Sequence, residues 1–122
     1  MDEVIKPESW LPVPRESEGS VVTFAGYVRG TENGVPIDAL EYEVYGGMAE
    51  SEIQRILHEI HEAWPVSEAL VVHRRGVVRA GEIAIFVAVT SPHRTEGFEF
   101  IQEFMNRLKQ DVPIWKVRAI SR

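Results

Sequence analysis

The chain has 122 residues, of which 44% are hydrophobic and 26% are charged, so it is large enough to bury a core without disulfide or metal staples. Its formal net charge of −6 argues against binding to nucleic acid or to an anionic membrane surface. Cysteine is absent, which excludes disulfides, thiol nucleophiles and thiolate metal sites.

The sequence is expected to form a single domain over residues 1–122, because no repeat, low-complexity segment or linker divides it. Residues 1–18 contain three prolines and predict an extended N-terminal arm that docks at an edge of the fold. The acidic start Met1-Asp2-Glu3 lacks an apolar signal segment, and no run approaches the roughly 18 apolar residues of a membrane span. A cytoplasmic location is therefore expected.

The first half of the chain predicts two strands followed by a helix. Residues 21–28 are apolar and β-branched, and apolar residues alternate with glutamates over 40–44 after the turn signal Asn33-Gly34. These two segments are predicted to form a hairpin. A helix then follows Gly46-Gly47 and ends before Pro65, because its apolar residues recur at helical spacing. These residues are Ile53, Ile56, Leu57, Ile60 and Trp64.

The second half predicts buried strands over 69–73 and 83–90, with Gly76 and Gly81 marking turns and room for a short strand between them. Ser91-Pro92 predicts the start of a second helix, in which the serine hydroxyl caps free N–H groups. Pro113 is expected to end this helix before a last strand over 114–120. The apolar arc of the helix comprises Phe98, Ile101, Phe104, Met105 and Leu108.

The element order ββαββ(β)αβ is typical of the α+β class. We expect two main helices packed on one face of a largely antiparallel sheet. The pairing order of the strands does not follow from the pattern.

Two of the three lysines, Lys109 and Lys116, bracket the helix-to-strand turn near the end of the chain. Residues 91–122 carry six Lys/Arg against four Asp/Glu, whereas residues 1–90 carry seven against fifteen. A locally basic segment in an acidic protein favours a confined anion site. Lysine, unlike arginine, can also lose its proton and do chemistry.

Lys109 is predicted in the last turn of the second helix, beside Phe98 and Met105 at the border of the apolar arc, where its amine can lie in a cleft. Lys116 is expected to share a strand face with Ile114 and Arg118, which would bring a second cation close. A purely structural or solvated role for each lysine remains the alternative.

Three further basic residues are candidates for anion binding. Arg94, with His93, is predicted in the first turn of the second helix, where a cation is favoured only if an anion sits at the helix N-terminus. Pairing of Arg94 with Glu96 is the equal alternative, and a structural role for His93 is preferred. Arg29 follows the first strand and is a further phosphate candidate.

Other patterns are weaker. His58 and His61 with Glu62 lack the spacing of a metalloprotease helix and are interpreted as a solvated face, so no metal site is predicted. Tyr42 and Tyr45 are interpreted as sheet packing.

Five blocks of sequence occur in a characteristic order. They are Gly26-Tyr27-Val28-Arg29, Leu40-Glu41-Tyr42-Glu43-Val44-Tyr45 with Met48-Ala49, Val72-His73-Arg74-Arg75-Gly76, Ser91-Pro92-His93-Arg94 and Leu108-Lys109 through Val112-Pro113-Ile114-Trp115-Lys116. In this order, from about Val21 to Lys116, they resemble the large, catalytic subunit of molybdopterin synthase, the MoaE family. The fourth and fifth blocks are specific, whereas the second alone is weak.

The resemblance implies an α/β hammerhead-type fold and a homodimer. Each protomer would hold a small ubiquitin-fold, MoaD-like sulfur carrier whose C-terminal Gly-Gly thiocarboxylate enters the site. The implied reaction transfers two sulfurs to cyclic pyranopterin monophosphate and forms the dithiolene of molybdopterin, with no cofactor or metal in this subunit. The missing cysteine is consistent with sulfur supplied by a partner.

By carry-over onto matching positions, Lys109 is the acid/base group beside the thiocarboxylate and Lys116 is the second catalytic lysine. Arg29, His93 and Arg94 match residues that bind or orient the substrate phosphate. The chain departs from the family after Lys116, where Val117-Arg118 replaces a basic residue and a glutamate, and it has a shorter tail. A non-catalytic carrier-binding or assembly module of the same fold, or an unrelated phosphate-binding domain, are the alternatives.

Overall fold

The computed structural model describes residues 3–44, 46–112 and 114–122, with backbone only at positions 46 and 115. Three features therefore lie outside the described residues: the expected packing of Tyr45, the expected helix stop at Pro113 and the side chain of Trp115. The elements in chain order are a short 3-10 turn Pro7–Ser9, then β1 Ser20–Tyr27, β2 Thr31–Glu32, β3 Val35–Val44, α1 Gly46–Ala63, β4 Glu68–His73, β5 Gly76–Arg79, β6 Ile83–Ser91, α2 Arg94–Asp111 and β7 Ile114–Ser121.

The first sheet has three antiparallel strands in the order β1-β6-β4. Every residue of the central strand β6 is buried, as its nearly continuous apolar run predicts. Alternate residues of β6 point to opposite faces of the sheet, so each face needs its own cover.

The two helices cover one face of this sheet. Ile56 and Ile60 of α1 and Phe100 and Phe104 of α2 belong to one buried cluster with alternate residues of β6. Gly97 allows α2 to approach β1 closely, because a Cβ atom at this position would lie 2.9 Å from Cγ2 of Val22. The α+β class with helices packed on one sheet face is confirmed.

The N-terminal arm covers the opposite face, not an edge as expected. Ile5 is only 4% exposed and packs with Val72 and Phe86, and Trp10 lies against the same cluster. The prediction of edge docking was wrong because the faces of a central strand that is buried throughout must both be covered by apolar groups.

The second sheet is built around β3, which pairs antiparallel with β5 and with β7. The predicted hairpin between the first strand and the 40–44 segment is wrong, because β1 pairs with β6 in the other sheet. Asn33 and Gly34, with φ of 51° and 80°, instead join the short strand β2 to β3. The described strands therefore form two sheets, where a single sheet was predicted.

The start of α2 also differs from the prediction. Ser91 ends β6, and its hydroxyl donates to the carbonyl of His93 at 2.6 Å instead of capping N–H groups. His93 is the N-cap residue and makes no side-chain cap bond. Within the helix, Phe98 was predicted to be buried but is 58% exposed, and Phe100 is buried in its place.

Candidate functional site

A cavity of about 370 Å³ lies where the end of α2 and the start of β7 meet the ends of β1 and β3. We call it the lysine cavity, because Lys109 and Lys116 both line it. Its apolar wall includes Phe24, Ile85, Met105, Leu108 and Ile114, and its other polar groups are Tyr27, Tyr42 and His73.

The elements that deliver the two amines are those that the sequence predicted. Lys109 lies in the last turn of α2, one turn after Met105, and its side chain is exposed. No carboxylate among the described residues lies within 4 Å of its amine. The negative end of the helix dipole favours a cation at this position. The structure thus brings Lys109 and Lys116 to one cavity.

Lys116 has a carboxylate neighbour that the sequence analysis missed. Its Nζ lies 3.6 Å from Oε2 of Glu32, which projects from β2. The lysine side chain is 53% exposed, so this ion pair is loose and accessible to solvent. Because Glu32 precedes a turn and lies 84 positions from Lys116, no local pattern in the sequence could have found it.

Tyr42 and His73 are cavity residues that sequence reasoning assigned to packing or quoted only in a family block. Their rings meet edge to face, with centroids 5.3 Å apart and planes at 79°. Nδ1 of His73 donates to the carbonyl of Arg74 at 2.5 Å, and burial lowers the pKa of His73 below 6.5. His73 therefore favours the neutral imidazole.

Arg118 does not share the face of Lys116, contrary to the prediction. Lys116 pairs with Tyr42, and Arg118 pairs with Glu41 and donates to its carboxylate at 2.5 Å. Tyr42 and Glu41 are successive residues of β3 and point to opposite faces. The register shift that leaves Val117 unpaired puts Arg118 outside the cavity.

His93 and Arg94 lie at the other end of α2 from the lysine cavity. Both are exposed, and Arg94 makes no ion pair with Glu96 or with another described carboxylate. Fifteen residues separate Arg94 from Lys109, which corresponds to about 22 Å along the helix axis. Within one protomer these residues do not meet at one small ligand.

Arg29 does not line the lysine cavity, although it is close in sequence to a residue that does. It is exposed and stands two residues after Tyr27, which does line the cavity. Its neighbour Val28 is buried and exchanges backbone hydrogen bonds with Gly81 and Glu82, which fixes this segment. A guanidinium on a fixed segment suits an anionic ligand.

Other features of the surface are less suited to an anion. A larger hollow of about 620 Å³ lies between the start of α1 and the end of α2, but its charged groups are the carboxylates of Glu52 and Asp111. His58 is 80% exposed on its helix and lies 3.8 Å from Glu62. Within the described ranges no group of three His, Asp or Glu residues could hold a metal ion, and no described helix is long and apolar enough to cross a membrane.

The lysine cavity can bind an anion and move protons. Two amines reduce the repulsion between two negative reactants, and an amine, an imidazole and a phenol can each exchange or share a proton. The apolar wall can pack against the uncharged part of such a ligand.

Comparison with known proteins gives the family. Residues 2–111 match the family model of the MoaE protein. The chain is 43% identical over 101 residues to a molybdopterin synthase catalytic subunit of Staphylococcus aureus, covering 83% of this chain and 68% of that protein.

Solved structures agree. The crystal structure of molybdopterin synthase from Staphylococcus aureus has a TM-score of 0.91 and 38% identity, covering 99% of this chain and 88% of that chain. A Helicobacter pylori structure, a complex of subunits 1 and 2 of molybdopterin-converting factor, has a TM-score of 0.71, covers 87% of this chain and 73% of that chain, and shares the fold at 22% identity. The chain therefore belongs to the MoaE family, whose named relatives are catalytic subunits of molybdopterin synthase.

Proposed function

We propose that this chain is a sulfurtransferase that moves sulfur from a thiocarboxylated small carrier protein to cyclic pyranopterin monophosphate, forming the dithiolene of molybdopterin. The single observation that carries the proposal is the presence of Lys109 and Lys116 in one cavity with an apolar wall. Both reactants are anions, so a site with two cations and no buried unpaired carboxylate of its own suits their meeting.

The carrier tail is proposed to enter the lysine cavity from its open side. A C-terminal Gly-Gly segment has no side chains and can approach between Phe24 of β1 and Lys109 of α2. The proposed carrier is a MoaD-like protein, consistent with the two-subunit complex described for the Helicobacter pylori protein of the same fold. Lys109 would then lie beside the thiocarboxylate as acid/base group, with Lys116 as the second catalytic lysine.

The phosphate of the substrate is proposed to contact Arg29 and, from a second copy of the chain, His93 and Arg94. The distance of about 22 Å between Arg94 and Lys109 along α2 rules out a shared small ligand within one protomer. In the proposed symmetric homodimer, the start of one α2 would lie at the cavity of the other protomer, so that Arg94 would contact the anionic substrate bound there.

A reconstituted assay tests the proposed reaction. Purified chain, thiocarboxylated carrier and pterin precursor are mixed, and molybdopterin is measured. We expect product with the wild type, a loss of at least about 100-fold in rate with Lys109→Ala, and an unchanged rate with Lys6→Ala, the exposed lysine of the N-terminal arm. A wild type that binds carrier but forms no product would favour the non-catalytic module, and an unchanged rate with Lys109→Ala would reject the assigned role.

Mixing two inactive variants tests the dimer. If each site takes Lys109 from one protomer and Arg94 from its partner, Lys109→Ala and Arg94→Ala homodimers lack activity, whereas a mixed dimer has one intact site of two. Random exchange of subunits should then restore roughly a quarter of the wild-type rate. If the activity is not restored although exchange of subunits has been verified, Arg94 lies outside the catalytic unit.

A further inference from the structure

Tyr42 has a position in the lysine cavity that packing alone does not require. It lies near the end of β3, where it pairs with Lys116 on one side and with Gly76 on the other. Directly paired residues of antiparallel strands project from the same face, so the phenol stands beside the Lys116 amine. Gly76 has no side chain to fill the space on the other flank, which leaves Tyr42 open to the cavity.

The ring of Tyr42 is held in place by its neighbours, whereas its hydroxyl has no hydrogen-bond partner among the described residues. The ring packs against the cluster of Val28, Ile37, Leu40 and Val78 and contacts the ring of His73 edge to face. Within the described ranges the hydroxyl forms no hydrogen bond. A half-buried phenol whose hydroxyl has no protein partner is a donor available to a ligand.

The surroundings keep this donor protonated. Burial, and secondly the negative charge of Glu32, raise the pKa of Tyr42 above its ordinary value of 10.0. At neutral pH the group is therefore a phenol that can donate a hydrogen bond, and it does not itself supply a negative charge.

We propose that Tyr42 is a further substrate-contacting residue, which donates a hydrogen bond to the acyl oxygen of the carrier terminus while the acyl–sulfur bond is broken. The proposal rests on the sulfur-transfer function proposed above. Its site is the same cavity, and its ligand is the acyl group of an extended peptide terminus.

A donor at this position would assist the breaking of the acyl–sulfur bond. Once the carrier sulfur has bonded to a substrate carbon, the acyl–sulfur bond must break and the oxygen of a water molecule must replace it. The products are the carrier carboxylate and a substrate thiolate, and both protons of the water pass to solvent. Negative charge develops on the acyl oxygen as water adds, and a fixed donor stabilises that charge more than it stabilises the ground-state carbonyl.

Tyr42→Phe tests the proposal because it removes only the hydroxyl. The matched control is Thr23→Val, which removes an exposed hydroxyl from β1 outside the cavity. Three quantities are measured for each protein: the single-turnover rate of molybdopterin formation at saturating carrier, the Kd for the carrier, and the Tm.

We expect Tyr42→Phe to slow the single-turnover rate about 10- to 100-fold, with carrier Kd and Tm unchanged, and Thr23→Val to match the wild type. The loss should appear in the rate and not in the affinity, because the contact strengthens as charge develops. A rate within threefold of the wild type would overturn the role of Tyr42 and leave the proposed function intact. A slower rate together with a lowered Tm would assign Tyr42 a structural role and would also overturn its proposed role as a donor. An inactive wild type would overturn both this proposal and the proposed function.

Discussion

The contact between α2 and β1 at Gly97 yields a stability prediction in which two effects of opposite sign compete. Glycine inside a helix is less favourable than alanine by about 1 kcal/mol, so Gly97→Ala would stabilise an isolated α2. In the folded protein the new Cβ would lie 2.9 Å from Cγ2 of Val22 and 3.3 Å from Oγ of Ser91. Val22 is β-branched and stiff, so the helix itself must move.

Overpacking of this kind costs about 1–3 kcal/mol, which exceeds the gain in helix propensity. Gly97→Ala should therefore lower the free energy of unfolding by about 1 kcal/mol and the Tm by about 4 °C. The measurement is urea unfolding of the wild type, Gly97→Ala, Val22→Ala and the double variant.

The double variant separates the two effects. With Val22→Ala the close methyl is removed, and Gly97→Ala should then raise the free energy of unfolding by up to about 1 kcal/mol. A single variant Gly97→Ala more stable than the wild type, or an equal effect in both backgrounds, would refute the argument that close packing sets the position of α2. Because α2 carries Lys109, a displaced helix should also slow product formation.

Two further predictions concern pH and the N-terminal arm. Because burial lowers the pKa of His73 in the folded protein, only the unfolded chain takes up a proton on this residue just below pH 6.5. The stabilisation that comes from the neutral imidazole is therefore complete above that pH and is lost as the pH falls, so the urea midpoint of the wild type should drop between pH 7.5 and 5.5. A drop of the same size in His73→Gln would show that His73 does not cause it. Ile5→Ala should lower the free energy of unfolding by about 2 kcal/mol or more, because Ile5 is 4% exposed. The control Val4→Ala, at a residue that is 50% exposed, should lower it by less than about 0.5 kcal/mol. Equal urea midpoints for the two variants would show that the arm is not docked.

The sequence predicted the elements that carry a strong local period. The helix stop before Pro65, the buried run of β6 and the position of Lys109 near the end of α2 all follow from spacing within one segment. The pairing of β1 with β6 and the division into two sheets depend on contacts between distant segments, which no local pattern encodes.

The candidate site was predictable only in part for the same reason. Lys109 and Lys116 are close in sequence and lie across a turn, so their approach to one cavity could be inferred. Arg94 is close to them in the chain, but a straight helix carries it about 22 Å away. Glu32 approaches Lys116, and Tyr42 reaches the cavity, through the pairing of β2, β3 and β7. The unpaired Val117, which places Arg118 outside the cavity, has no signal in the sequence.

The central claim is that the amines of Lys109 and Lys116 act on the same bound substrate, and a double-mutant cycle on the single-turnover rate tests it most directly. We expect Lys109→Ala and Lys116→Ala each to slow product formation by about 100-fold or more, and the double variant to be no more than about tenfold slower than the slower single variant. Losses that multiply, giving a double variant about 10⁴-fold slower than the wild type, would show that the two lysines act independently and would contradict the account.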